Sequence, residues 1–345
     1  MDLVPNSRFR SIVYAMLPLL ALIGAAELIA RALPGDDTGT TASGYAVEDP
    51  DLIWRLAPRS QGDYRTNELG LRDTTYKADA DVKILVLGDS VAWGDAIDDV
   101  RNVFANRLER RLDDEDPSRT YEVINAGVPG YSTFQEAAFL RIRGLALAPD
   151  LVILQFCLND IVERYHRIAR FGGESIFLGV DTRHAGSDLL GSLIRHSRAF
   201  ERFFRFLMHR SRKREEYAVR NLASDELSPA LEEAWELVIE EVEDVRRTAA
   251  SNGIPLLLVI APYRFQLEEQ HRLRQPQDRL IEYASSRAVT YVDLLPVFAT
   301  ARKFEPSRPL FIDPSHFSVA GHEIAAAALF GPVKALLGPT GAPEF

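Results

Sequence analysis

Five short apolar runs alternate with stretches of helical periodicity from about Val82 to Leu337. The runs are Val82 to Leu87, Tyr121 to Ile124, Leu151 to Phe156, Pro255 to Ala261 and Val289 to Leu294. Apart from Lys83, the first is continuous and rich in β-branched residues, the signature of a strand buried on both faces of a parallel sheet. Between the runs, Val103, Leu108 and Leu112 share one side of a helix that ends in the acidic turn Asp113-Asp114-Glu115-Asp116. Ser132 is placed to cap a helix reaching about Leu147. Leu231, Trp235, Val238, Val242 and Val245 keep a 3.6-residue period ahead of the fourth run, and a last helix runs from Val319 to Leu337. The alternation predicts an α/β domain over 81–338, built on a five-stranded parallel sheet covered on both faces. There is no internal repeat.

Two regions break the alternation. Residues 1–10 are polar and carry Arg8 and Arg10, whereas Ile12 to Ala26 holds no charge and Leu28 to Leu33 extends it past Glu27 with one further charge, Arg31. A bilayer span needs about 20 residues, so 11–33 qualifies as a transmembrane anchor with Glu27 and Arg31 at the outer interface. The leading arginines put 1–10 in the cytoplasm and the rest of the chain on the exported side. A cleavable signal peptide competes, because Ala30-Arg31-Ala32 has the small-x-small pattern of a cleavage site. The apolar stretch outruns a typical signal core, which favours the uncleaved anchor. Residues 34–80 read as a tether and N-terminal extension, Gly-, Thr- and Asp-rich and aperiodic from Pro34 to Gly44. Residues 339–345 form a short tail. The second break is an insertion over 161–228, where Leu189, Leu190, Leu193, Ile194, Phe200, Phe203 and Phe204 interleave with Arg195, Arg198, Arg202 and Arg205. A helical insertion of this make-up suits a lid, a lipid-facing amphipathic helix, or an ordinary helical subdomain with a basic face.

Composition narrows the function. Of 345 residues, 46% are hydrophobic and 26% charged, which describes a globular chain with a sizeable core. A net charge of −10 argues against nucleic acid as a partner. The single cysteine, Cys157, excludes an internal disulfide and reads as a buried, inert thiol at a strand end. No His/Cys/Asp cluster has metal-ligand spacing, so neither a metal nor another cofactor is implied.

The chemistry gathers where the runs end. Gly88-Asp89-Ser90 follows the first run, Asn125-Ala126-Gly127-Val128-Pro129-Gly130 the second, and Leu158-Asn159-Asp160 the third, while Asp313-Pro314-Ser315-His316 stands near the C-terminus. Open α/β sheets bind ligands at the carboxyl ends of their strands. A side chain at position 88 would crowd the strand-to-helix turn, and Ser90, just before the helix, either has backbone N–H groups beside its hydroxyl to stabilise an anion or serves only as an N-cap. Ser90 needs a base to take its proton, and His316, held in one tautomer by Asp313, fits that role. The G-x-S-x-G elbow of α/β-hydrolases is absent. His322 lies inside the last helix and reads as a packing residue.

These four blocks, in this order and each after the right element, resemble the SGNH (GDSL) hydrolase family over about Val82 to Leu337. The resemblance implies a flavodoxin-like, three-layer α/β/α fold. It also implies an oxyanion hole of the Ser90 N–H, the Gly127 N–H and the Asn159 side-chain amide. Gly127 would let substrate approach the backbone, while Asp89 and Asp160 organise loops. One departure is Cys157, where the family often has glycine; it narrows the room beside the hole. Asn67-Glu68-Leu69-Gly70-Leu71-Arg72-Asp73 is similar to a segment ahead of the first block in many membrane-anchored bacterial members. Arg72 there suits a structural ion pair better than recognition of an anionic substrate.

The resulting expectation is a membrane-tethered serine ester hydrolase that forms an acyl-Ser90 intermediate. Its substrate would be an O-acyl, chiefly O-acetyl, ester of cell-envelope carbohydrate, with lipid and thioester substrates also open. Two readings compete. An O-acyltransferase would pass the acyl group to a polysaccharide hydroxyl with the same triad, and a non-catalytic envelope binding or assembly protein would keep only the fold. The intact residue set disfavours the second.

Overall fold

The computed structural model describes residues 46–49, 51–61, 65–163, 229–268 and 273–338. It adds short pieces at 18, 22, 24–32, 168–171, 174–177, 197, 199, 219–220, 222–223 and 227. The chain forms two compact units, Met1–Ser43 with Gly179–Arg212, and Gly44–Leu178 with Lys213–Phe345. In the first unit, residues 24–32 are helical. Glu27 pairs with Arg31 at 2.7 Å and accepts hydrogen bonds from the Ser197 hydroxyl at 2.8 Å and the Ala199 N–H at 3.1 Å. Among the described residues no helix is long and apolar enough to cross a membrane. About half of the anchor expected over 11–33 lies outside those residues.

The second unit opens with a hairpin, β1 (Ala46–Asp49) against β2 (Ile53–Leu56), inside the stretch expected to be tether and extension. The main sheet follows: β3 (Val82–Leu87), β4 (Tyr121–Asn125), β5 (Leu151–Phe156), β8 (Leu256–Ile260) and β9 (Thr290–Asp293). The hairpin β6 (Ile168–Phe171) with β7 (Glu174–Phe177) stands apart from it. All five main strands are parallel, in the order β4-β3-β5-β8-β9. Numbered along the sheet's own course this is 2-1-3-4-5, the expected flavodoxin-like order. The apolar runs supply the core: β4, β5 and β8 are buried throughout, and only Lys83 relieves the pattern in β3.

Right-handed crossovers that step first one way and then the other from β3 put helices on opposite faces. After β3 come α1 (Ser90–Trp93) and α2 (Phe104–Glu115), and after β4 comes α3 (Thr133–Phe139). A capping box of Ser132 and Gln135 starts α3 as expected, but the α-helix ends at Phe139 and continues to Leu147 as wider and tighter turns. After the short α4 (Asn159–Glu163) comes α5 (Pro229–Ser251), which packs on α3. Beyond β8 and β9 come α6 (Arg264–Glu268), α7 (Gln275–Ser286), α8 (Leu294–Phe304) and α9 (Val319–Leu337), the last packed on α2.

The insertion is not wholly helical, since β6 and β7 pair antiparallel within it. The rest of the expected lid falls almost entirely outside the described residues. What matters for the site is that β3 and β5 are neighbours. Their carboxyl ends deliver Ser90 and Asn159 to the crevice where the winding of the sheet reverses.

Candidate active site

Asp89 begins the site. It caps α1, accepting the Val91 N–H on Oδ1 at 2.9 Å, so Ser90 occupies the first helical position. Its other oxygen accepts the Asn159 side-chain amide at 2.7 Å. One buried carboxylate therefore ties the end of β3 to the end of β5. Burial drives its pKa up, against the hydrogen bonds from Asn159 and Val91. Asp160 plays the parallel role in its own loop, accepting the Cys157 N–H at 3.1 Å and the Thr133 hydroxyl at 3.3 Å.

His316 arrives from the far end of the chain on a tight loop. Asp313 Oδ1 accepts the N–H groups of Ser315 at 2.9 Å and His316 at 2.8 Å, and the Arg264 N–H grips the Pro314 carbonyl at 2.8 Å. The imidazole is then held at both nitrogens. Nδ1 lies 2.6 Å from Asp313 Oδ2, and Nε2 lies 2.8 Å from Ser90 Oγ. Ser90, His316 and Asp313, expected from the order of blocks, are thus one continuous hydrogen-bonded chain. Burial opposes a charge on His316, but Asp313, joined by Asp95 and Asp89, outweighs it and holds the imidazole above its ordinary pKa. Burial likewise opposes charge on Asp313, and the bonds from His316 and Ser315 overcome it, holding the carboxyl down at about 2.

The oxyanion side departs from expectation at one residue. The Gly127 N–H donates to Asn125 Oδ1 at 3.0 Å, so this conformation does not offer it to a substrate. Nor does the missing side chain make room for substrate. A Cβ on Gly127 would lie 2.5 Å from the Trp93 nitrogen and 2.7 Å from the Ala92 Cβ, so the glycine is needed to pack the turn against α1. Three residues on, Gly130 has φ +82°, a conformation natural only to glycine. Among the described residues its N–H has no hydrogen-bond partner, and neither has the Ser90 N–H. The sequence could not separate the two glycines, because only the direction of an N–H distinguishes them.

Asp95 was missed entirely. It follows α1, donates its N–H to the Ser90 carbonyl at 3.0 Å, and places Oδ2 3.8 Å from His316 Nε2 with about a third of its side chain exposed. The only signal for it is position, one residue past the glycine that ends a four-residue helix. Cys157 is buried, and burial, together with Asp89 and Asp160, raises its thiol well above the usual range, so it is inert as expected. His322 also packs: its ring stacks on Phe104, its Nδ1 accepts the Phe104 N–H at 3.3 Å, and burial lowers its pKa to about 3. Among the described residues no group of acids, histidines and cysteines could hold a metal ion.

A family model described as the GDSL-like Lipase/Acylhydrolase family matches residues 86–324. No curated protein matches the chain in sequence. Solved structures that resemble it include the acetyl xylan esterase AlAXEase, at 14% identity and TM-score 0.47, over 73% of this chain and 100% of that one. A catalytic mutant of Axe2, an acetylxylan esterase from Geobacillus stearothermophilus, shares 15% identity at TM-score 0.46, over 75% and 95%. LAE5, an alpha/beta hydrolase enzyme from the metagenome of Lake Arreo in Spain, shares 19% at TM-score 0.45, over 76% and 98%.

Proposed function

The chain belongs to the GDSL-like lipase/acylhydrolase family and is a serine esterase, and we propose that it hydrolyses short O-acyl esters, chiefly O-acetyl esters of cell-envelope carbohydrate. The observation that carries the catalytic reading is the unbroken chain from Ser90 Oγ through His316 to Asp313. As Oγ bonds to the acyl carbon, its proton passes to Nε2, and Asp313 stabilises the imidazolium that forms. Collapse of the tetrahedral intermediate breaks the bond to the leaving oxygen, which takes the proton from Nε2. Water, deprotonated by the same nitrogen, then frees the acid from acyl-Ser90. The negative oxygen is met by the N–H of Ser90, the N–H of Gly130 and the amide of Asn159, with Gly130 replacing Gly127 in the set first expected. Asp89 takes one hydrogen of the Asn159 Nδ2 and fixes the direction of the other. Each such donor supplies about 3 kcal/mol to the transition state.

Asp95 supports the substrate class. The leaving alcohol must lie against Nε2, and a partly exposed carboxylate 3.8 Å from that atom can accept a hydrogen bond from a hydroxyl borne by its neighbouring carbon. A sugar offers such a hydroxyl, and an anionic leaving group would be repelled. A membrane anchor over 11–33, with the catalytic unit on the exported side, would hold the enzyme among such esters. The test compares a mono-acetylated oligosaccharide with octanoyl and aryl esters. The reading expects acetate released into water from the sugar, and a KM for it that rises in Asp95→Asn more than the KM for aryl acetate. Preference for octanoyl esters, or transfer to sugar outrunning hydrolysis, would overturn it.

A further inference from the structure

The segment Asn67-Glu68-Leu69-Gly70-Leu71-Arg72-Asp73 lies outside the matched span 86–324, yet it reaches both backbones that carry the proposed oxyanion donors. Asn67 ties it into a knot: its Oδ1 accepts the N–H groups of Leu69 at 3.0 Å and Leu71 at 3.1 Å, and its Nδ2 donates to the Thr74 carbonyl at 3.1 Å. Two neighbouring side chains leave this knot in different directions.

Arg72 is buried, and its guanidinium lies over the Trp93 ring, 4.8 Å from the centroid, while donating to the Ile97 carbonyl. Trp93 is the last residue of α1, and Ile97 closes the turn that carries Asp95, donating its N–H to the Gly94 carbonyl at 3.1 Å. Asp73 takes the other direction. Its Oδ2 accepts the Asn125 N–H at 2.9 Å, and its Oδ1 is held by Asn106 Nδ2 at 3.0 Å and the Thr74 N–H at 2.8 Å. Asn125 is fully buried and passes the constraint on. Its Nδ2 donates to the Ala92 carbonyl of α1 at 2.8 Å, and its Oδ1 accepts the Gly127 N–H at 3.0 Å. That second bond fixes the start of the turn that presents Gly130. The helix of Ser90 and the turn of Gly130 are therefore held to each other by Asn125, and both are held from outside by two adjacent residues of one segment.

We propose that Arg72 and Asp73 are positioning residues of the esterase, acting through Trp93 and Asn125 to set the spacing of the Ser90 and Gly130 N–H donors. The proposal rests on the reading of those two N–H groups as oxyanion donors. A preorganised hole loses catalytic power when its donors drift by a fraction of an ångström, whereas substrate binding in the ground state barely registers the change.

The experiment uses the full-length protein and two conservative variants. Asp73→Asn keeps the volume but sets an N–H₂ among three N–H donors, and Arg72→Lys keeps the charge but loses the planar face over Trp93. kcat and KM for aryl acetate, the affinity for a boronic acid that forms a tetrahedral adduct with serine, and the melting temperature are measured together. A positioning role lowers kcat at least about 10-fold, leaves KM within about 3-fold, and weakens the boronate in parallel with kcat/KM. Folded variants with wild-type kcat, or activity that falls with melting temperature while boronate affinity holds, overturn it. Should Asp73→Asn fail to fold, Arg72→Lys decides alone. Ser90→Ala is run alongside: full turnover there would sink the oxyanion reading and the proposal with it. A dead Ser90→Ala beside unaffected Arg72→Lys and Asp73→Asn sinks the proposal only.

Discussion

Adding one methyl group at Gly127 separates two accounts of that residue. The alanine Cβ would lie 2.5 Å from the Trp93 nitrogen, 2.7 Å from the Ala92 Cβ and 2.8 Å from the Ala92 carbonyl carbon, where ordinary contact starts near 3.4 Å. Two of the three atoms are backbone of α1, so no side chain can swing aside to make room. The helix must move by close to an ångström or the turn must open, at the cost of about 1–3 kcal/mol typical of an overpacked interior. For a unit of this size that is a fall in melting temperature of roughly 2–10 °C. Because Ser90 begins α1, the same shift moves Oγ relative to His316 Nε2 and should cut kcat by a factor on the order of 100. Thermal melts and steady-state hydrolysis of an aryl acetate, on Gly127→Ala beside wild type, give both numbers. A glycine kept open for substrate would behave differently, with unchanged melting temperature, retained kcat and raised KM. That pattern would refute the packing argument.

Three further outcomes follow. Since the neutral imidazole is the working base and Asp313, Asp95 and Asp89 hold His316 above its ordinary pKa, kcat/KM should rise with pH through a value above 6.5. Asp95→Asn should move that limb to lower pH, and Asp313→Asn further still with kcat reduced roughly 10⁴-fold; a limb that stays put in both would contradict it. Burial pushes Asp73 and Glu122 up to about 7 each. An acid with a raised folded pKa stabilises at low pH and loses that contribution as pH climbs through the folded value, so the melting temperature should be higher at pH 6 than at pH 8. The difference should shrink in Glu122→Gln. If 11–33 is an uncleaved anchor, the full-length mass should stay with membranes through an alkaline carbonate wash, whereas a soluble form beginning near Leu33 would show signal cleavage.

The sheet was legible because buried strands must be nearly continuous apolar runs, and all five strands stood where the runs stood, although β9 at the sheet edge leaves Thr290 and Tyr291 exposed. The grouping of Ser90, His316 and Asp313 into one hydrogen-bonded chain was legible for a related reason, since each block follows a strand end or, for His316, lies in a loop ahead of the last helix. What escaped reading depends on the direction of small groups. Gly127 and Gly130 share one turn, and only the Asn125 side chain decides which N–H is left open. Asp95 carries no pattern of its own, and its nearness to Nε2 exists only once His316 has crossed 226 positions to reach Ser90. Asp73 and Arg72 are polar residues in an aperiodic stretch, and the contact of Arg72 with α1 and of Asp73 with β4 is a tertiary fact that no local period announces.

The central claim is that His316 and Asp313 activate Ser90, and a fluorophosphonate probe tests it at the atom concerned. Intact mass after labelling should show one adduct per chain, and peptide mapping should place it on Ser90. The rate should fall at least about 100-fold in His316→Ala, because the hydroxyl then loses its base. An adduct elsewhere, or labelling of Ser90 at the wild-type rate without His316, would contradict the account.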